Sequence, residues 1–383
     1  MTIYFFCLIT ARYVCVDQCK KFIMAKKQKR RERKENNNEG ESLIPLENDE
    51  FSTEESSHEE YEAMGKPEEM DLQMENVYRI HEQIQLDWPS LSVCLKEEEG
   101  RILVEQAIPG AAPSLLDLEV VLAGDNKRSV RPVKKVETAH QANRIRARNG
   151  KIYTISDRSI DIYTSSLTPI YTKNISGGYG LSIYKSSLFY GDGAAIVQQK
   201  DVEGNHVESF NINQNEIFSI ASISENEAFA GTHAINLVDF RCKDAKQYLL
   251  NDCDINSIAY NGENMIVAGD DKGMLRVIDI RQETPLEEIK FHQSPISHIQ
   301  FSSKDVFASA SSCEIVMWDM SYEETEGWEY HKYLSFVHQG QAYYKDFEFI
   351  ADDTIMAASE NGLCIFSPIS QIETPEVDEQ MQE

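Results

Sequence analysis

The chain has 383 residues, with 37 Lys and Arg against 64 Asp and Glu, and its formal net charge is −27. Its content of hydrophobic residues, 41%, is enough for a packed core and excludes a wholly disordered chain. So acidic a molecule repels phosphate backbones, which excludes duplex nucleic acid as its main ligand and favours basic partners.

The start of the chain is apolar and then basic. Residues 1–16 are interrupted by Arg12, have no basic flank before them, and are shorter than the ~20 apolar residues of a membrane-spanning helix. We therefore expect residues 1–23 to be an extension of the gene model or an unstructured leader, and no membrane association. The basic tract from Lys26 to Lys34 is typical of a nuclear-localisation signal, although a solvated tail without a targeting role is the alternative.

An acidic segment follows this tract. Residues 1–34 carry a net charge of +8, residues 35–76 carry −14 and residues 77–383 carry −21. We predict that residues 24–71 form a disordered arm, basic and then acidic, and that residues 371–383 form an acidic tail. The arm is expected to attract a basic partner through the carboxylates of Glu47, Asp49, Glu50, Glu54, Glu55, Glu59, Glu60, Glu62, Glu68 and Glu69.

Apolar residues then recur at intervals of three and four. This pattern runs from Leu72 to Ile84 and predicts an amphipathic helix over residues 72–86. Pro89 is expected to end the helix, and the alternation that begins at Leu91 predicts a strand.

The remainder of the chain, residues 87–370, repeats with a period near forty. Asp239, Asp279 and Asp319 are 40 residues apart, and each follows a strand, a small-residue turn and a second strand. Weaker copies on both sides bring the number of units to seven. Short strands separated by Gly, Asn, Asp and Ser turns are typical of propeller blades, so we predict an all-β, seven-bladed β-propeller that closes without open sheet edges.

These units resemble WD repeats in a degenerate form. Only Trp318-Asp319 keeps the signature dipeptide, and the expected turn aspartate is replaced by Ser312, Lys272 and Thr232 in the three most regular units. The His and Asp network typical of the family is therefore expected to be lost in most blades. The opening and the last repeat resemble the family of the glutamate-rich WD-repeat protein, a regulator of ribosome biosynthesis. The residues that carry the resemblance are Trp88, Pro89, Leu91, Asp239, Arg241, Asp279, Arg281, Trp318, Asp319, His338 and Gly340.

The resemblance implies a monomeric factor of the nucleus and nucleolus. It would bind the newly made third protein of the large ribosomal subunit, as its chaperone, and deliver it to pre-ribosomes. Histone-binding WD-repeat chaperones share the Trp88 to Leu91 opening and remain the alternative. A further alternative is a substrate receptor of a cullin-type ubiquitin ligase, because Asp239 to Arg241 and Asp279 to Arg281 resemble the Asp-x-Arg boxes of such receptors, although these pairs more often serve the blade itself.

We predict no enzymatic activity, no cofactor and no metal. The nine histidines are scattered, the eight cysteines form no Cys-x-x-Cys pair, and phosphate-cradling or nucleophile motifs are absent from the sequence.

A basic cluster lies between residues 127 and 151. It contains Lys127, Arg128, Arg131, Lys134, Lys135, Arg144, Arg146, Arg148 and Lys151. This cluster has three interpretations. It contacts ribosomal RNA precursors, it contacts the acidic arm, or it is a plain solvated face.

Overall fold

The computed structural model of the chain describes residues 77–96, 99–122, 128–212, 216–250, 252–282, 284–322 and 331–369. The predictions for the leader, the arm with its ten carboxylates, the start of the helix and the acidic tail lie outside these residues. Within the described part, no helix has the length and apolar character that crossing a bilayer requires.

The described residues form 28 strands in seven four-stranded antiparallel sheets. The first blade contains β2 Val93–Lys96, β3 Arg101–Gln106, β4 Ser114–Leu122 and β5 Arg128–Glu137. The second contains β6 Ala142–Arg148, β7 Lys151–Ser156, β8 Ser159–Thr164 and β9 Pro169–Asn174. The third contains β10 Leu181–Tyr184, β11 Ser187–Asp192, β12 Ala195–Gln199 and β13 Val207–Asn211. The fourth contains β14 Ser219–Ser222, β15 Glu227–Gly231, β16 Ala234–Asp239 and β17 Asp244–Leu250.

The last three blades follow in the same order. The fifth contains β18 Ile255–Tyr260, β19 Met265–Asp270, β20 Met274–Asp279 and β21 Glu287–Lys290. The sixth contains β22 His298–Phe301, β23 Val306–Ala310, β24 Glu314–Asp319 and β25 Leu334–Gln339. The seventh contains β26 Asp346–Ala351, β27 Thr354–Ser359, β28 Gly362–Pro368 and, as its outermost strand, β1 Tyr78–Ile84 from the start of the described chain.

The seven sheets form a closed ring around a central channel. The first strands of the blades lie innermost, and most of them contact the first strand of the next blade, including β2 against β26. Middle strands such as β11 and β27 are almost fully buried, whereas the outer strand β9 alternates between exposed and half-buried residues. Each hydrophobic cluster joins the facing surfaces of adjacent blades, as where Phe336 of the sixth blade packs with Phe347 of the seventh. The seven-bladed propeller is confirmed.

The predicted helix over residues 72–86 is wrong where the structure describes it. Residues 78–84 form β1, which pairs antiparallel with β28, with His81 opposite Phe366. The register shifts between Tyr78 and Ile80, so strict alternation of buried and exposed side chains is broken at that point. An irregular strand that buries Tyr78 and Ile84 at its two ends leaves apolar residues at intervals that resemble a helical period.

The sixth blade retains a buried hydrogen-bonded network. His292 Nε2 lies 2.7 Å from Ser309 Oγ, and Trp318 Nε1 donates to the same hydroxyl at 2.8 Å. His292 Nδ1 lies 2.9 Å from Glu314 Oε1, so a glutamate at the start of β24 takes the position of the missing turn aspartate. The expected loss of the network therefore does not apply to this blade, because a longer side chain starting at another position reaches the same imidazole.

Candidate functional site

One face of the propeller collects two sets of loops. In an antiparallel blade, the turn between the second and third strands lies at the same end of the sheet as the loop that leads from the fourth strand to the next blade. Since the first strands line the channel around the whole ring, these loops from all blades lie on one face, which we call the loop face. The turns between first and second strands lie on the opposite face.

Carboxylates from four consecutive blades lie on the loop face. They form an acidic rim that consists of Asp157, Asp192, Glu216, Asp252, Asp254 and Asp271. Asp157, Asp192 and Asp271 lie at turns between second and third strands, and the other three lie in loops between blades. Burial raises the pKa of Glu216, and the negative charges of Asp157 and Asp254 raise it further, so the Glu216 carboxylate lies in the field of both. The rim is a surface that a cation would stabilise.

Neutral or weakly basic partners hold several rim carboxylates in place. The amides of Asn143 and Asn256 donate to Asp157 at 2.6 Å and to Asp271 at 2.8 Å. Ser176 N donates to Asp192 at 2.9 Å. These contacts orient the carboxylates without cancelling their charge. Three rim carboxylates also lie beside basic side chains: Asp252 pairs with Lys272, Asp192 lies 3.7 Å from Lys173 Nζ, and Asp254 lies 3.0 Å from His233 Nδ1. Among the described residues, the charge of Asp157, Glu216 and Asp271 thus remains available to a partner.

An open depression of about 400 Å³ lies within the rim. Asp157, Gly177, Tyr179 and Glu216 contribute to its wall, and Tyr179 is 36% exposed beside the ring of Phe218. Gly177 has a φ of +71°, which favours glycine, and a Cβ at this position would displace the end of the Glu216 side chain. An acidic depression with an exposed aromatic ring suits lysine or arginine side chains, which attract carboxylates and lie over aromatic faces.

The central channel holds a charged network of a different kind. Arg146 of β6 donates to Asp346 of β26 at 2.8 and 3.1 Å, across the ring. Arg144 donates to His298 Nδ1 at 3.1 Å and to the carbonyl of Asn256 at 3.3 Å. Burial would raise the pKa of Asp346, but the positive charges of Arg146 and Arg144 hold it well below its ordinary value. These groups tie the second, fifth, sixth and seventh blades together.

The basic cluster of residues 127–151 is therefore divided by the fold. Arg144 and Arg146 lie in the channel, whereas β5 carries Arg131, Lys134 and Lys135 on the exposed outer edge of the first blade. Arg131 pairs with Glu119, and Lys134 donates to a backbone carbonyl of the second blade. Lys127 lies outside the described residues. The cluster does not form one surface.

The two Asp-x-Arg boxes are internally paired. Arg241 donates from its backbone N to Asp239 at 2.9 Å and from its guanidinium at 3.0 and 2.8 Å. Arg281 repeats the arrangement with Asp279, from its backbone N at 3.0 Å and from Nε at 2.8 Å. Hydrogen bonds from these arginines lower the pKa of Asp239 and of Asp279 to about 2. Each box caps the end of its own strand, although both arginine side chains stay largely exposed.

The other residues of the family resemblance serve separate local roles. Trp88 is 39% exposed, and its carbonyl accepts a hydrogen bond from Gln106, while Pro89 and Leu91 lie half-buried beside it. Asp319 accepts hydrogen bonds from the backbone and hydroxyl of Ser321. His338 is fully buried. Gly340 follows with a φ of +116°, at the turn into the seventh blade.

Comparison with known proteins supports the repeat fold. No protein-family model matches the chain. The kinesin-like protein KIF21B of Mus musculus is 34% identical over 58 residues, which is 15% of this chain and 4% of that protein. The WD repeat and HMG-box DNA-binding protein 1 of Mus musculus is 28% identical over 69 residues, 17% of this chain and 6% of that protein. The chain thus spans only a small part of the curated relatives it matches.

Two solved structures are similar over most of the propeller. They are U3-55K and the WD40 repeats of RRP9, each with a TM-score of 0.60 and 14% sequence identity. Each match covers 76% of this chain and, respectively, 97% and 96% of the other. At that identity the likeness concerns the fold alone. The described part of the chain has the WD40-repeat propeller fold, which is typically a non-enzymatic scaffold.

Proposed function

We propose that this protein is a WD-repeat chaperone that binds a newly made, basic ribosomal protein and delivers it to nucleolar pre-ribosomes. The acidic rim is the observation that carries the proposal, because it places carboxylates from four blades on the loop face, two of which, Asp157 and Glu216, line a depression. The third protein of the large subunit is the proposed client, from the resemblance of the opening and last repeat. The likeness to U3-55K and to the WD40 repeats of RRP9 supports the propeller fold on which the rim is built.

The physics of the rim favours a basic protein over an RNA. A surface with clustered carboxylates attracts lysine and arginine and repels phosphate. An exposed ion pair contributes only ~0–1 kcal/mol, so several must act together, and salt weakens all of them at once. The acidic arm, residues 35–76, is proposed to speed the encounter, since long-range attraction acts mainly on the association rate.

The test is a binding titration of the purified chain with the third protein of the large subunit at increasing salt. The rim variant combines Glu216→Gln, Asp252→Asn and Asp271→Asn, which preserve shape and remove three charges. We expect it to weaken binding by about tenfold, equivalent to about 1.4 kcal/mol. The matched control removes three carboxylates from turns on the opposite face, with the changes Glu225→Gln, Glu263→Gln and Asp305→Asn.

The outcomes separate the client from the site. If the ribosomal protein does not bind, or a histone pair displaces it with higher affinity, the proposed client is wrong and the histone alternative gains support. If it binds but both triple variants weaken binding equally, the rim is not the site. A deletion of residues 35–76 should slow association several-fold with little change in dissociation, and an unchanged association rate contradicts the role of the arm.

A further inference from the structure

The closure of the ring brings together three metal-ligating side chains that are far apart in the sequence. His81 lies on β1, His338 on β25 and Cys364 on β28, and one donor atom from each lies within 4.8 Å of the other two. β1 lies at the beginning of the described residues, β25 is the outer strand of the sixth blade, and β28 lies at the end of the described residues. They meet where β1 completes the seventh blade.

The seventh blade lacks the polar partners that satisfy the equivalent histidine of the sixth. Across β23 and β24 the register places Phe307 opposite Trp318, and across β27 and β28 it places Ile355 opposite Phe366. Counting two residues inward on β23 and β27, Ala357 occupies the position of Ser309, the hydroxyl that His292 contacts in the sixth blade.

His338 instead has Phe366 stacked on its ring, with centroids 3.8 Å apart, and Cys364 Sγ 3.5 Å from its Nε2. The ring is held at its other nitrogen by Tyr78 Oη, 2.9 Å from Nδ1. A hydroxyl at Nδ1 fixes the orientation of the imidazole and leaves Nε2 directed at the sulfur.

The spacing between nitrogen and sulfur is that of two ligands on one ion. Zinc lies ~2.3 Å from a thiolate and ~2.0–2.1 Å from an imidazole nitrogen, and a tetrahedral angle then separates the two ligand atoms by about 3.6 Å. His81 is half-buried on the solvent side, and its side chain contacts the rings of Tyr78 and His338. Its donor nitrogen lies within 4.8 Å of the donor atoms of His338 and Cys364, and rotation of this half-buried side chain would bring it toward an ion that the other two hold.

We propose that His81, His338 and Cys364 bind one Zn²⁺ ion, which fastens β1 to β25 and β28 and locks the ring closed. Imidazole and thiolate are the ligands that zinc prefers, and water from the side of His81 completes the tetrahedron. The bond to sulfur forms as the Cys364 thiol loses its proton to solvent, with no change of oxidation state.

The test is a zinc titration of the full chain, after removal of metal with a chelator, with a competing chromophoric chelator as readout. The wild type is expected to bind one ion at a site that His81→Gln and Cys364→Ala each weaken at least tenfold. His206→Gln, at an exposed histidine, and Cys94→Ala, at a buried free cysteine outside the cluster, are the matched controls and should bind as the wild type does.

Two further readouts keep the test decisive. Co²⁺ should give a thiolate-to-metal charge-transfer band in the wild type and none in Cys364→Ala. Zn²⁺ should raise the thermal unfolding midpoint of the wild type and not that of His81→Gln, whose half-exposed position tolerates substitution if Cys364→Ala does not fold. Absence of zinc binding, or equal affinity in His81→Gln and the wild type, overturns the proposal.

Discussion

The charged network of the channel gives the sharpest test of how the ring is held together. Asp346 is 3% exposed and Arg146 is 21% exposed, and their bidentate pair joins the second and seventh blades across the channel. Asp346→Asn preserves the size of the side chain and leaves Arg144 and Arg146 without a counter-charge. Removing one partner of a buried pair costs about 3–5 kcal/mol, because the remaining charge stays desolvated.

The measurement is urea unfolding followed by the fluorescence of Trp318, which is fully buried in the sixth blade. Glu119→Gln is the matched control, since the pair of Glu119 and Arg131 is exposed and should contribute ~0–1 kcal/mol. If Asp346→Asn lowers the free energy of unfolding by no more than Glu119→Gln does, the channel pair is solvated and the reasoning fails.

The same network predicts how acid acts on the fold. Arg146 and Arg144 hold the pKa of Asp346 below its ordinary value in spite of burial, so its stabilisation is present at neutral pH and is lost as pH falls below about 4. Burial lowers the pKa of His298 from 6.5 to about 3. Between pH 6.5 and pH 3 the unfolded chain therefore takes up a proton at this residue that the folded chain does not. Stability should therefore fall steadily from pH 6.5 to pH 3, and Asp346→Asn should show a shallower loss below pH 4.

Three other expectations concern separate parts of the propeller. Burial raises the pKa of Glu105 from 4.5 to about 8, so between these pH values the folded chain keeps a proton that the unfolded chain releases. The wild type should therefore lose up to about 3 kcal/mol of stability from pH 5 to pH 8. Glu105→Gln should remove this slope in urea titrations across that range. Ser309→Ala leaves His292 and Trp318 without their shared partner and should cost about 1–3 kcal/mol in the same assay, whereas Ser303→Ala at an exposed turn should cost little. Deleting residues 1–86 removes β1 and exposes the edge of β28, so size-exclusion chromatography should show association that a deletion of residues 1–76 does not cause.

The sequence predicted the propeller because its turns mark the blades. Asp239, Asp279 and Asp319 each end the third strand of a blade, at the fourth, fifth and sixth positions of the ring. Small and apolar residues before them form the nearly fully buried second strands. Turn residues and buried strands leave a local pattern in the sequence, and the number of blades, seven, is predicted from the repeats of that pattern.

The strand β1 was mispredicted because its partner lies at the other end of the chain. An isolated segment with apolar residues at intervals of three and four favours a helix, and only pairing with residues 363–368 satisfies its backbone as a strand. The bulge between Tyr78 and Ile80 hides the period of two that would have indicated this. Tertiary contacts overrode the local pattern here.

The candidate sites were beyond sequence reasoning for a related reason. In the sequence, Arg144 and Arg146 lie among seven other basic residues, a pattern that suggests one basic surface. In the fold, both lie on β6 two residues apart, and the alternation of a strand therefore directs both side chains into the channel. There they contact His298 and Asp346, which belong to distant blades. The acidic rim is the opposite case, because its residues are far apart in the sequence. Single carboxylates such as Asp157, Glu216 and Asp254 do not stand out in the sequence, and they form a cluster only when the ring brings their loops together. Charge that is concentrated in the sequence is thus partly neutralised inside the fold, whereas charge that is dispersed in the sequence is gathered on its surface. The net charge of −27 therefore does not locate the surface that a basic protein would meet, and a rim variant tests the loop face more directly than any change in total charge.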